Sequence, residues 1–236
     1  MLDIADVDHF IDDYCISKEA VLAVVERMNI SSPFDIKSSN DTSFVFVSSS
    51  DYVYQYFKNK NVPLRIVQLL TSLNRDITNN DLGVSFDLNR YISNYVYFLP
   101  ANDIIVWKKI TPLNSFTAEK KAKVIKDNLH KLVWDISKAL YGFHTNNLLH
   151  GDARIDNIGI RDDNFVLFDF DGSSIDEHNV YKKDYYDLIT SIIFNTPSLK
   201  NEISHLKNST NLINDIFSIF DGSVQDLEDL EINIKL

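Results

Sequence analysis

Three side chains in one short stretch have the chemistry to handle a phosphoryl group. The stretch reads His150-Gly151-Asp152-Ala153-Arg154-Ile155-Asp156-Asn157, then Ile158-Gly159-Ile160, a short polar turn, and Phe165-Val166-Leu167-Phe168-Asp169-Phe170-Asp171. Phosphoryl transfer asks little covalent work of a protein: a carboxylate to orient the attacking hydroxyl, and hard oxygen donors to hold Mg²⁺. Asp152 can supply the first. Asn157 and Asp169, 5 and 17 residues after it, can supply the second.

These groups need elements on either side to place them. Leu129, Leu132, Ile136, Ala139, Leu140 and Phe143 recur at the helical period, so a helix is expected to end just before His150. The apolar run Phe165–Phe168 reads as a strand that delivers Asp169. A further helix is expected over Tyr185–Phe194, burying Leu188, Ile189, Ile192 and Ile193.

Upstream the pattern is different. Ser43–Val47 and Asp51–Phe57 read as two strands of a hairpin around Ser48-Ser49-Ser50. Pro63 suits the first turn of a helix running to Leu73, with Leu64, Val67, Leu70 and Leu73 on one face. Strands are expected at about Val84–Ile92, Tyr95–Leu99 and Ile104–Trp107. Short helices are expected over residues 3–14, from an N-cap at Ser17 to Met28, and over Leu212–Phe220, with a solvated acidic stretch at Asp226–Glu231. Strands with one helix first, and mostly helices afterwards, predict an α+β domain of two lobes with a hinge near residues 107–112.

The bulk properties narrow the function. At 44% hydrophobic and 12% aromatic residues the chain can bury a core. A net charge of -11 argues against a general nucleic-acid-binding surface. The single cysteine, Cys15, cannot form an internal disulfide, which favours a reducing compartment. There is no apolar run of 18 residues, and the acidic N-terminus lacks the basic start of a secretory signal. An intracellular protein without a membrane span is the expectation.

His150-x-Asp152 with Asn157, followed by Asp169-Phe170, resembles the catalytic and metal-binding loops of the protein-kinase-like superfamily. Gly151 makes it look more like the atypical branches: aminoglycoside and choline kinases, RIO-type kinases, and fungal or effector kinase-like domains. Asp152-Ala153-Arg154 and Phe168-Asp169-Phe170-Asp171 are similar to the loops of that last group. The resemblance is strong over about residues 125–195 and only topological over 40–110.

It implies one kinase-like domain, with a small antiparallel-sheet N-lobe at about 1–107 and a mainly helical C-lobe at about 108–236. It implies ATP and Mg²⁺ as cofactors, with a hydroxyl-bearing substrate, protein or small molecule, as acceptor. By position Asp152 orients the hydroxyl, Arg154 faces the transferred phosphate, and Asn157 and Asp169 hold the metal. His150 braces the metal loop. Asp184 ties down the catalytic-loop backbone, with Asp187 the competing choice. Two positions also fit plainer roles: a surface ion pair for Arg154 and a solvated N-cap for Asp184.

The N-lobe departs from the family. Ser48-Ser49-Ser50 has no glycine where a Gly-rich loop covers the phosphates, and Gln55 stands where the strand lysine is expected. Lys58, on the opposite strand face, is the fallback. No acid lies in the helix Pro63–Leu73, and Lys108 and Lys109 follow Trp107 before the hinge. The candidate nucleotide contacts are therefore Gln55, Lys58 and Lys108. Their character also admits a pseudokinase that acts as a protein-interaction module. A minor alternative comes from Asp169-Phe170-Asp171-Gly172-Ser173, which resembles the first motif of haloacid-dehalogenase-type phosphatases. There Asp169 is the nucleophile and Asp171 the acid/base. The motif comes late in the chain, and that reading leaves His150–Asn157 without a role.

Overall fold

Aromatic and β-branched runs build the first sheet, and a computed structural model gives its register. It describes residues 35–38, 43–47, 52–57, 59, 61–79, 84–100, 103–175 and 182–203. The helices expected at 3–14, 17–28 and 212–220, the acidic stretch at 226–231, the hairpin tip Ser48–Ser50 and Lys58 lie outside the described residues.

In chain order the first elements are β1 (Asp35–Ser38), β2 (Ser43–Val47), β3 (Tyr52–Phe57), α1 (Asn61–Ser72), β4 (Asp76–Asn79) and β5 (Val84–Asp87). Then come β6 (Tyr95–Leu99), β7 (Ile104–Lys108), β8 (Thr111–Pro112), α2 (Ala118–Asp127) and α3 (Leu129–Thr145). The last are β9 (Leu148–Leu149), β10 (Ile158–Arg161), β11 (Asn164–Leu167), β12 (Ser174–Ile175), α4 (Lys182–Asn195) and α5 (Lys200–Ile203). The chain divides into two compact units, one of residues 1–72 with 94–109, the other of 73–93 with 110–236.

The first unit holds an antiparallel sheet in the order β1-β2-β3-β7-β6. Its hairpin pairs Val45 with Gln55, and β7 pairs Gln55 with Ile105. Ile104, Ile105, Val106 and Trp107 are all buried, so both faces of β7 are covered. Helix α1 buries Pro63, Ile66 and Leu70, while Leu64 stays 46% exposed. Leu70 and Leu73 are buried on the expected face and Val67 is half-buried, while Ile66 is buried in place of Leu64. The helix starts at Asn61, whose N–H donates to Asn59 Oδ1 at 3.0 Å, and two overlapping apolar stripes fit the same period.

The second unit differs from expectation at its start. β5 ends at Asp87, because the Asp87 carboxylate accepts the Asn89 N–H at 2.9 Å and opens a 3-10 turn over Leu88–Arg90. A short polar side chain here competes with the strand ladder. β5 pairs with β4, which the sequence does not signal because Ile77 is its one apolar residue.

The remainder of this unit positions the loops. Thr117 caps α2 by accepting the Lys120 N–H. The predicted stripe Leu129, Leu132, Ile136, Ala139, Leu140 and Phe143 is buried along α3. In α4, Tyr185, Leu188, Ile189 and Ile192 are buried. The β10–β11 hairpin turns on Asp162 and Asp163, both at positive φ, 48° and 61°. Two left-handed residues are what a tight hairpin turn of matching twist requires, and Asp tolerates that region better than most.

Candidate active site

The segment Leu148–Asn157 is anchored from several elements before its side chains reach solvent. β9 pairs antiparallel with β12, Leu149 opposite Ser174, so the chain before the loop is tied to the chain after Asp169. His150 is fully buried. It donates its backbone N–H to Asp184 Oδ2 at 2.9 Å, and Gly151 donates its own to Asp184 Oδ1 at 2.9 Å. Gly151 needs to be glycine: its φ is +84°, and a Cβ there would meet the Gly172 carbonyl oxygen at 2.5 Å.

The His150 imidazole bridges the two loops. Nε2 lies 3.0 Å from the Phe168 carbonyl, and Nδ1 accepts the Asp152 N–H at 3.3 Å. These partners require the neutral ring with its proton on Nε2. Burial holds its pKa below the ordinary histidine value, against the pull of Asp184. Phe170 sets its ring edge-on to His150 at 5.5 Å and stacks on Phe143 at 5.6 Å, so the second loop rests on α3.

Asp152 emerges from this frame 39% exposed. Arg154 grips it with two nitrogens, Nε on Oδ1 and Nη2 on Oδ2 at 2.9 Å. Asn157, buried, donates Nδ2 to Asp152 Oδ2 at 2.8 Å and to the Asp152 carbonyl at 2.9 Å. Both amide hydrogens are thereby used, and the carboxamide oxygen is the atom left for a cation. The Asn157 carbonyl accepts the Phe168 N–H at 3.0 Å, which brings Asp169 next to Asn157.

Asp169 adopts a left-handed conformation, φ 65°, uncommon for a non-glycine residue. Burial, with Asp171 and Asp152 nearby, raises its carboxyl from the ordinary value to about 6. A buried carboxylate facing two others suits a hard cation, and with the Asn157 oxygen it makes a donor set of the type Mg²⁺ accepts. Among the described residues no group of three His, Cys, Asp or Glu side chains is placed to hold a metal ion.

Asp184 is the loop anchor and is fully buried. Burial pushes its pKa up. The hydrogen bond from His144 (Nε2–Oδ2 3.1 Å) and the backbone N–H of His150 outweigh that, and the net shift is downward. Asp187 pairs instead with Lys183 one turn away. Sequence reasoning missed three supports: His144; Ser191, whose Oγ accepts the Ile155 N–H at 3.1 Å; and Lys183, which donates to the Gly151 carbonyl at 3.0 Å. His144, six residues before His150 at the end of a predicted helix, was the one with a signal.

The structure brings Asp152, Arg154 and Asn157 into direct contact, with His150, Asp184 and Asp169 joined to them through the loop backbone. Gln55 and Lys108 belong to the other unit. The Gln55 Oε1 accepts the Trp107 indole N–H at 2.8 Å. Lys108 is exposed at the end of β7, its N–H on the Asn94 carbonyl at 3.0 Å.

No protein-family model matches the chain, and no curated protein matches it in sequence. Solved structures do. The gentamicin complex of APH(2")-IIa is similar at TM-score 0.52 and 13% identity, over 93% of this chain and 95% of that one. The streptomycin–ATP complex of APH(2")-IIa has TM-score 0.49 at 13% identity, and ADP-bound aminoglycoside phosphotransferase APH(2'')-Ib has 0.42 at 14%. Both cover the same shares of the two chains, 93% and 95%. At this identity the likeness is one of fold alone: the chain carries the two-lobed α+β protein-kinase-like fold.

Proposed function

We propose that the protein is an ATP- and Mg²⁺-dependent phosphotransferase that moves the γ-phosphoryl group to a hydroxyl. The observation that carries this reading is the convergence on one carboxylate: Asp152 is held by Asn157 and Arg154 and left open to solvent on its remaining side. Asp152 accepts a hydrogen bond from the acceptor hydroxyl and aims its oxygen at phosphorus. The O–P bond to the acceptor forms as the O–P bond to the nucleotide breaks, and ADP leaves. Arg154, two residues on, can trade one of its two contacts for a phosphoryl oxygen. Asn157 and Asp169 would hold Mg²⁺, which offsets phosphate charge when bound. His150 and Asp184 fix the loop.

The acceptor is a protein or small-molecule hydroxyl. A neighbour of this fold is seen with gentamicin, so hydroxyl-rich amines belong in the first acceptor screen.

Thermal unfolding with ATP, with and without Mg²⁺, tests the reading. A ligand that binds only the native state raises the midpoint. The wild type should gain a Mg²⁺-dependent rise that Asp169→Ala loses. Asp152→Ala should abolish transfer with nucleotide binding nearly intact. Transfer at wild-type rate in Asp152→Ala sinks the assignment.

One observation favours a second reading. Gln55, in the place of the strand lysine, already accepts the Trp107 indole N–H. A chain whose phosphate contact has become a sheet brace fits a pseudokinase that binds a protein partner. No thermal shift at millimolar ATP would select it.

A further inference from the structure

The two backbone polar groups of Gly151, the residue that leads into Asp152, are held by consecutive residues of α4. Asp184 takes the Gly151 N–H at 2.9 Å, and Lys183 places its ammonium on the Gly151 carbonyl at 3.0 Å. That carbonyl shares its peptide plane with the Asp152 N–H, which donates to His150 Nδ1 at 3.3 Å. The plane is therefore pinned at its oxygen by Lys183 and at its nitrogen by His150. On its other side Gly151 lies at φ +84°, with the Gly172 carbonyl oxygen where a Cβ would be.

Lys183 is itself held. Its ammonium pairs with Asp187 one turn along the helix. The pair is at the surface, with the lysine side chain 58% exposed and the aspartate 30%. Exposed pairs of this kind contribute roughly 0–1 kcal/mol. Lys183 thus adds little to stability while contacting the one peptide that sets the direction of the Asp152 side chain.

We infer that Lys183, braced by Asp187, is a positioning residue for the transfer reaction: it fixes the Gly151–Asp152 peptide and through it the aim of the Asp152 carboxylate. The inference rests on the phosphotransferase reading above. Reacting groups held in a near-attack geometry lose about 100-fold in rate for a displacement of about 1 Å, so a peptide plane freed at one end has a measurable cost.

The test compares full-length wild type, Lys183→Met, Lys183→Arg and Asp187→Asn, with ATP and Mg²⁺ and with water as the acceptor. Amide hydrogen exchange over 148–157 is measured separately on nucleotide-free protein. Lys183→Met should lower kcat by roughly tenfold or more with KM for ATP within about twofold. It should speed exchange of the Asp152 amide and leave the melting midpoint nearly unchanged. Lys183→Arg, which keeps a cationic donor, should recover most of kcat, and Asp187→Asn should fall between. Unchanged kcat and unchanged exchange in Lys183→Met, in a wild type that turns over, overturns the positioning role. A wild type with neither hydrolysis nor a Mg²⁺-dependent nucleotide shift overturns the phosphotransferase reading, and the role of Lys183 with it.

Discussion

Asn157 gives both hydrogens of its side-chain amide to Asp152, one to the backbone carbonyl at 2.9 Å and one to Oδ2 at 2.8 Å. The amide closes the loop on itself and fixes the carboxylate from below. Asn157→Asp replaces that donor with an acceptor and sets two carboxylates in contact. Stability should fall by about 1–3 kcal/mol, the usual cost of a buried hydrogen-bonding group left unsatisfied. Transfer should fall by roughly 100-fold, the scale of a lost general-base interaction. Urea unfolding and a γ-phosphate transfer assay read the two effects, and wild-type values in both would mean the amide does not hold Asp152.

The Arg154 fork on Asp152 separates chemistry from stability. Both side chains reach solvent, the arginine 53% exposed and the aspartate 39%. Their pairing is therefore worth roughly 0–1 kcal/mol and is screened by salt. Arg154→Lys keeps the charge but loses the planar two-point grip. Its melting midpoint should match the wild type while kcat drops about tenfold or more. A variant with full kcat would leave Arg154 as a surface ion pair and nothing else.

Gly151→Ala tests the backbone. The left-handed conformation costs a non-glycine residue about 1–2 kcal/mol, and the new methyl group would meet the Gly172 carbonyl at 2.5 Å, a contact that only backbone movement relieves. The variant should lose more than about 1–2 kcal/mol in chemical denaturation and lose transfer, because the displaced segment carries Asp152. A variant within about 0.5 kcal/mol of wild type would show that the loop adapts freely.

What the sequence disclosed follows the range of the forces involved. Asp152, Asn157 and Asp169 could be placed together because one tight loop and one short hairpin span the distance between them. The α3 stripe was legible because burial imposes the helical period on its residues. The contacts of Gln55 with Trp107, 52 residues away, and of Lys183 with Gly151, 32 residues away, depend on how elements meet, and no local pattern encodes them. At α1 the expected Leu70 and Leu73 are buried, and Leu64 was taken for Ile66 because residues of both stripes are apolar. β4 was missed because its hydrogen bonds, not its side chains, define it.

Lys138 on α3 gives a pH dependence whose sign can be worked out. Its ammonium donates to the Tyr91 hydroxyl at 2.9 Å and lies 4.6 Å from the ring centroids of Tyr91 and Trp134, with Phe86 at 6.0 Å. Burial lowers its pKa from the ordinary 10.5 to about 8. Asp135 opposes that shift, and Lys131 and Arg90 add to it. Between pH 8 and 10.5 the unfolded chain binds the proton and the folded chain does not, so this group makes stability rise with pH in that window. Below pH 8 both states are protonated and the cost of burying the charge is fully present. Tyr91, its own pKa raised chiefly by burial, acts the other way above about pH 10, where the unfolded chain ionises first. Lys138→Met keeps the length and packing of the side chain without the charge. It should be more stable than wild type at pH 7, and that advantage should shrink steadily from pH 8 to 10 in denaturant melts taken side by side. An advantage that is absent at pH 7, or constant across the window, would mean that the cation–π contacts with Tyr91 and Trp134 repay the burial of the ammonium in full.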